Sequence, residues 1–162
     1  MFTYRNIKWI LLFVLCIIFQ SIIVDNLLSI KGIRPNFIVI ALIFYGLEFG
    51  GVYATIAGFF VGVIQGLGFF GGGFIGLASL TNSITGFYAG LFQRSGREYS
   101  DLFFFIIILT ACFIHDFLYY YILLFGSETR VLFIILRSVL PTSLFTTIVG
   151  MMFLYSFKKR IN

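Results

Sequence analysis

The chain has 162 residues, of which 60% are hydrophobic and only 10% are charged, and its mean hydropathy is +1.08. About a quarter of the residues of a typical soluble domain are charged, so this composition excludes a soluble fold and predicts an integral membrane protein. A spanning helix needs about 20 largely apolar residues, so the length allows about six spans and no separate soluble domain. The net charge of +5 is spread singly over segment ends, which argues against nucleic-acid binding.

Six apolar segments follow one another along the chain and predict an all-α membrane bundle that forms a single domain over residues 1–162. The first segment is too long for a signal-peptide core, so we expect it to be retained. Pro35 is expected to be the first residue of the second helix, the pair Gly50 and Gly51 to reverse the chain, and the glycines at 71–73 to connect the third and fourth helices. The predicted spans are residues 7–28, 35–49, 52–69, 74–92, 102–125 and 131–157.

The distribution of lysine and arginine predicts the orientation in the membrane. Six spans place both termini on one side, and basic residues are enriched in cytoplasmic loops. If the termini are cytoplasmic, the inside set is larger than the outside set, which favours this orientation. The inside set is Arg5, Lys8, Arg94, Arg97, Lys158, Lys159 and Arg160, and the outside set is Lys31, Arg34, Arg130 and Arg137.

Small residues recur every four positions in the third and fourth segments. Residues four apart share a helix face, and small residues let two helices in lipid approach closely. We therefore expect the third and fourth helices to form a tightly packed hairpin, with glycines that make the fold and have no catalytic role. The residues predicted to serve helix packing are Gly58, Gly62, Gly66, Gly86, Gly90 and Pro141.

Asp116 is the strongest single candidate for a functional residue. A carboxylate within an apolar helix costs about 2.5 kcal/mol or more at the bilayer centre and normally faces a partner or a cavity. We expect it to pair with Arg137 of the next helix. His115 is its sequence neighbour and points about 100° away around the helix, so the two are not expected to form one site. The alternatives for Asp116 are helix packing, partner binding and a proton or ion relay.

The remaining polar signals are weaker. Arg34 and Asn36 flank Pro35 where the second segment enters the membrane, and both are candidates for partner contact or for helix capping. The chain has one histidine and two cysteines, and Cys16 and Cys112 lie within apolar segments, so no metal site or cofactor is expected. No nucleophile and base occur at a catalytic spacing, so we do not expect an enzyme.

Several short motifs follow one another along the chain. They are Arg34-Pro35-Asn36, the segment GFFVGVIQGL at 58–67, GLASL at 76–80, Gly86-Phe87, the span of Asp116 and RSVLP at 137–141. In this order they resemble the MreD family of rod-shape-determining membrane proteins, and the resemblance extends from the first segment to the basic tail. One departure is Gly66, which stands where the family usually has aspartate.

The resemblance implies a function that composition alone does not supply. It implies a fold similar to the substrate-binding membrane subunits of energy-coupling-factor transporters. It also implies a scaffold of the rod complex, or elongasome, which supports lateral peptidoglycan synthesis. The partners implied are an MreC-like bitopic protein and, through it, MreB, RodA and a class B penicillin-binding protein, together with membrane lipid. The alternatives are a substrate-binding subunit of a vitamin-like small-molecule transporter and a flippase of lipids or wall precursors.

Overall fold

A computed structural model describes residues 4–20, 22, 33–69, 76–93, 100–125 and 131–158. All regular secondary structure in these ranges is helical, so the predicted all-α class is confirmed. Several predicted features lie outside the described residues. They are the end of the first span at 23–28, the glycine connection at 71–73, the polar loops at 94–99 and 126–130, and the basic residues at 159–160.

The described residues form six helices in chain order, and the third and sixth contain a π-helical turn. Helix α6 is continuous through its π-helical turn and consists of three pieces. The helices are α1, Tyr4–Phe19; α2, Phe37–Phe49; α3, Gly51–Ile64, continued by the π-helical turn Gln65–Phe69; α4, Leu77–Gly90; α5, Asp101–Leu123; and α6, made of Val131–Ile134, the π-helical turn Ile135–Val139 and Leu140–Lys158.

Two of the described helices are long and apolar enough to cross a membrane. These are α5, with 23 residues, and the stretch Val131–Tyr155 of α6, with 25 residues. Three further apolar helices are shorter, among them α2 with 13 residues. At 1.5 Å per residue α2 is about 20 Å long, against a hydrocarbon core of about 30 Å. Length alone therefore identifies two spans among the described helices.

Helix α2 begins two residues later than predicted. Asn36 has an extended backbone (φ −106°, ψ 93°), and its side chain accepts a hydrogen bond from the backbone N–H of Val39 at 3.1 Å. Asn36 is therefore the N-cap, a position that favours asparagine because its side chain satisfies a free amide of the first turn. The prediction that Pro35 is the first helical residue is wrong, since Pro35 precedes the cap.

The reversal between α2 and α3 is confirmed and depends on Gly50. This residue has φ 89°, a left-handed conformation that glycine adopts at little cost. Its backbone N–H donates to the carbonyl oxygen of Gly46 at 2.8 Å and ends α2. The same residue precedes Gly51, the first residue of α3. One glycine thus ends one helix and caps the next.

Helices α3 and α4 are antiparallel and in backbone contact along their glycines. A Cβ atom on Gly58 would lie 2.6 Å from the carbonyl oxygen of Asn82, and a Cβ atom on Gly62 would overlap the backbone of Ser79. Any side chain at these positions would force the helices apart. The reciprocal contacts from α4 are Gly86 against Ala54 and Gly90 against Gly51.

The apolar core has two parts. The first lies between α2, α4, α5 and α6, and the second holds α1 against α2 and α3. Most large apolar side chains on the opposite face of α1 are exposed, which is the surface expected of a helix in contact with lipid. The first cluster contains Val39, Ile43, Leu47, Ala89, Phe104, Ile107, Ile108, Ala111, Cys112 and Leu154, and the second contains Phe13, Ile17, Ile38, Ala41, Leu42 and Val61.

Candidate functional site

The polar side chains of the core gather in one half of the bundle. In this half α1 and α3 end and α2 and α4 begin. Helix α5, which packs against α2, α4 and α6, contributes its second half. Its polar residues bond to one another across helices, whereas the opposite half is held by the first apolar cluster. The following residues define what we call the polar half of the bundle: Gln20, Asn36, Gln65, Asn82, His115, Asp116, Thr142 and Thr146.

A chain of three hydrogen bonds crosses this half and joins α3, α4 and α5. The side-chain Nδ2 of Asn82 donates to Oε1 of Gln65 at 2.6 Å. Oδ1 of Asn82 lies 3.1 Å from Nε2 of His115, and Nδ1 of His115 lies 2.9 Å from Oδ1 of Asp116. We call this the Gln65–Asp116 chain. It is the most extended polar contact among the described side chains.

The chain is shielded from its surroundings. Asn82 is 1% exposed, and His115 and Asp116 are each 5% exposed. Oδ2 of Asp116 is buried and has no hydrogen-bond partner in the described part of the protein, and the same is true of the hydroxyl oxygens of Ser79 and Thr142. A buried polar atom without a partner costs about 1–3 kcal/mol, so these three atoms mark places where a ligand or a proton would change the energy of the bundle.

The contact between His115 and Asp116 corrects the sequence prediction that they do not form one site. Their Cα–Cβ bonds do diverge by about 100° around the helix. Both side chains nevertheless carry rotatable bonds that bring their tips together, and the ring nitrogen reaches the carboxyl oxygen at 2.9 Å. The neighbouring positions therefore supply adjacent groups of one site.

The predicted ion pair between Asp116 and Arg137 is wrong. Arg137 is exposed and lies in the π-helical turn of α6. Its guanidinium stacks over the ring of Phe133 at 5.3 Å from the centroid, whereas Asp116 is buried against His115. The helix directs Arg137 outward from the bundle, so the side chain does not reach Asp116.

Asn36 ties the start of α2 to α6 in addition to capping it. Its backbone N–H donates to the hydroxyl oxygen of Thr146 at 3.2 Å. Thr146 in turn donates to the carbonyl oxygen of Thr142 at 2.8 Å. The exposed Arg34 precedes this segment. The motif at 34–36 is therefore joined to α6 through the backbone of Asn36.

Gln20 at the end of α1 holds the same segment from the other side. Its Nε2 donates to the carbonyl oxygen of Pro35 at 3.2 Å, and its Oε1 accepts from the backbone N–H of Phe37 at 3.1 Å. One amide side chain thus satisfies a donor and an acceptor on either side of the N-cap. This contact fixes the end of α1 to the start of α2.

The remaining predicted packing residues lie beside the polar half. Gly66 is buried and lies next to Gln65, whose side chain accepts a hydrogen bond from Asn82. Pro141 is half-buried near the start of the last piece of α6. Within the described ranges no group of three or more histidine, cysteine or acidic residues is placed to hold a metal ion.

Asn82 was not among the site residues predicted from the sequence, although it is the centre of the chain. A buried amide needs partners for both its donor and its acceptor. The amides at 65 and 82, on two adjacent apolar helices, were the signal that could have identified the contact.

The comparisons with known proteins give one match. The model of the family described as rod shape-determining protein MreD matches residues 1–160, which is nearly the whole chain. No curated protein and no solved structure matches the chain.

Proposed function

Because the chain belongs to the MreD family of rod shape-determining proteins, we propose that it is a non-enzymatic scaffold of the rod complex in the bacterial inner membrane. The family role is structural and concerns cell shape. On this proposal the protein binds an MreC-like bitopic protein, and through it MreB, RodA and a class B penicillin-binding protein. The match over residues 1–160 is the observation that carries the proposal.

The membrane arrangement proposed is six spans with both termini in the cytoplasm. The two long helices α5 and α6 support it, as do the exposed apolar faces of α1 and α3 and the excess of basic residues on the cytoplasmic side. The four shorter helices α1 to α4 would cross with the help of flanking residues, which local thinning of the bilayer permits. We also propose that the bundle shares the fold of the substrate-binding subunits of energy-coupling-factor transporters.

The surface proposed to meet the partner is the exposed side of α6 around Arg137. This residue is the only lysine, arginine, aspartate or glutamate between 131 and 155. It is surrounded by exposed apolar side chains, including Leu132, Phe133 and Leu136. Such a face suits a single transmembrane helix that offers apolar residues and one acceptor for the guanidinium. We also propose that the exposed Arg34, just before the start of α2, contacts the partner.

The other predicted site residues receive roles inside the bundle. We assign Asn36 and Asp116 to the connection of helices in the polar half, because Asn36 bonds to α6 and Asp116 bonds to His115. We assign the glycines of α3 and α4 to close packing, because a Cβ atom on Gly58 or Gly62 would meet backbone atoms of α4.

One observation favours the second candidate function, a substrate-binding subunit of a small-molecule transporter. Three buried polar atoms, on Ser79, Asp116 and Thr142, lack partners in the described residues, and convergent polar groups within a helix bundle are typical of a ligand site. The scaffold remains the proposal, since the family match points to cell shape.

Affinity purification tests the two functions against each other. The tagged full-length protein is extracted from native membranes in mild detergent, and the proteins that co-purify are identified by mass spectrometry. We expect an MreC-like protein with wall-synthesis enzymes, and a lower yield of it with Arg137→Gln. Lys8→Gln, which removes an exposed cation from α1, is the matched control. Recovery of an ATPase pair with a coupling subunit, and no MreC-like protein, would refute the scaffold and support the transporter.

A further inference from the structure

The Gln65–Asp116 chain has a direction, and that direction determines where its protons lie. Nδ2 of Asn82 donates to Gln65, so the other end of the same amide, Oδ1, is an acceptor. This oxygen faces Nε2 of His115 at 3.1 Å. An acceptor must face a donor, so Nε2 of His115 carries a hydrogen.

The next contact along the chain requires a further proton. Nδ1 of His115 and Oδ1 of Asp116 are 2.9 Å apart, and two lone pairs at this distance repel unless a proton lies between them. That proton belongs either to an imidazolium that faces a carboxylate or to a carboxylic acid that faces a neutral imidazole. Both arrangements leave the pair without net charge.

The second carboxyl oxygen distinguishes the two arrangements. In a carboxylate, Oδ2 carries half of the negative charge, and a buried charged oxygen without a donor is far more costly than a neutral one. In an acid protonated on Oδ1, Oδ2 is a neutral carbonyl oxygen. Oδ2 of Asp116 is buried and has no partner in the described part of the chain, so the acid is the less costly form.

Apart from His115, the described groups around Asp116 supply no ion pair that would favour the carboxylate over the acid. The described ionisable groups that act on it are its neighbour His115 and, one turn away on either side along α5, Cys112 and Tyr120. On the other described elements, the polar groups that face this part of α5 are the amides of Gln65 and Asn82 and the hydroxyls of Thr142 and Thr147. The charged group that acts here is the Arg34 guanidinium, whose electric field reaches the hydroxyl of Tyr120.

We propose that Asp116 is a proton-binding site within the bundle, where a carboxylic acid donates from Oδ1 to Nδ1 of a neutral His115. The carboxylate takes one proton from water and becomes the acid, and no electron is transferred. The proton is the ligand that completes the hydrogen-bond chain between α3, α4 and α5. Without it, a negative oxygen and a nitrogen lone pair would face each other in the core, and the chain would break at α5.

Infrared spectroscopy tests the protonation state directly. The full-length protein, Asp116→Asn and Asp101→Asn are compared in detergent at neutral pH. Asp101 is the matched control because it lies on the same helix but is exposed. We expect the C=O band of a carboxylic acid in the wild type, its loss in Asp116→Asn and its retention in Asp101→Asn. The absence of this band from the wild type, or its survival in Asp116→Asn, would overturn the proposal.

The single histidine of the chain permits an independent measurement. His115 is the only source of signals when the protein is labelled with ¹⁵N-histidine and carries a tag without histidine. We expect a neutral ring with hydrogen on Nε2 and none on Nδ1 at neutral pH. An imidazolium, or a neutral ring with hydrogen on Nδ1, would contradict the proposal.

Asparagine at position 116 gives a third readout, because its side chain imitates the protonated acid. The amide Nδ2–H would donate to Nδ1 of His115, and the amide oxygen would occupy the place of Oδ2. We therefore expect Asp116→Asn to accumulate in membranes to the wild-type amount, and Asp116→Leu, which offers no donor, to accumulate less. If asparagine is tolerated no better than leucine, the protonated acid is not what the site requires.

Discussion

Replacing Gly62 with alanine should destabilise the bundle. The added Cβ atom would overlap backbone atoms of Ser79 on α4, and backbone cannot turn away as a side chain can. The helices must therefore separate, which costs about 1–3 kcal/mol by analogy with overpacked cores. In a helix interior, alanine is more favourable than glycine by about 1 kcal/mol of folding free energy. We expect a net loss of up to about 2 kcal/mol from the free energy of unfolding, and a larger loss for Gly62→Leu.

The assay is equilibrium unfolding in mixed micelles of a mild detergent and SDS. Unfolding is monitored through the fluorescence of Trp9, the only tryptophan of the chain. Its ring packs edge-on against Tyr45 at 5.3 Å, so the signal reports the docking of α1 on α2. The control is Gly150→Ala, where the Cβ atom would lie 3.4 Å from a methyl group of Ile108, an ordinary contact. We expect this control to be unchanged or up to about 1 kcal/mol more stable. If Gly62→Ala is as stable as Gly150→Ala, the reasoning from helix separation is refuted.

Three further predictions concern the polar half and α6. In the same assay, Asn36→Ala should lower the free energy of unfolding by about 1 kcal/mol because α2 loses its N-cap, whereas Asn36→Ser should retain most of it. Equal losses in the two variants would argue against capping. Asn82→Ala should cost at least about 1–3 kcal/mol because Gln65 and Nε2 of His115 lose their partner, and a neutral result would mean that the chain does not stabilise the fold. Arg137→Gln should change stability by less than about 0.5 kcal/mol because the side chain is exposed, so a larger loss would show that Arg137 serves the fold and not a partner.

The composition and the turn signals predicted the helical class, because a chain this apolar can satisfy its backbone in lipid only within helices or closed barrels. Gly50 was also predictable, since a reversal between two apolar segments needs a residue that tolerates positive φ. The backbone contacts of Gly58 and Gly62 with α4 follow the four-residue spacing seen in the sequence.

The polar contacts were harder to predict because they depend on side-chain rotamers and on helix register. The angle of about 100° between neighbouring helix positions describes the directions of Cα–Cβ bonds and not the positions of side-chain tips. The prediction that His115 and Asp116 do not form one site was wrong for this reason. The pairing of Asp116 with Arg137 rested on their depth in the membrane. Depth does not fix the direction in which a side chain leaves its helix, and Arg137 faces outward.

The π-helical turn Ile135–Val139 has a consequence for how α6 tolerates change in chain length. A π-helical turn closes its hydrogen bonds five residues back instead of four, so it holds one residue more than the α-helical turn it replaces. Deleting one residue there would restore a regular α-helix and leave Leu140–Lys158 in register with the core. The deletion would also leave Val131–Ile134 facing nearly as it does now, because four α-helical residues turn the chain about as far as the five π-helical residues they replace. The π-helical turn thus absorbs one extra residue, so that a one-residue deletion at this point would leave both ends of α6 in their present orientation.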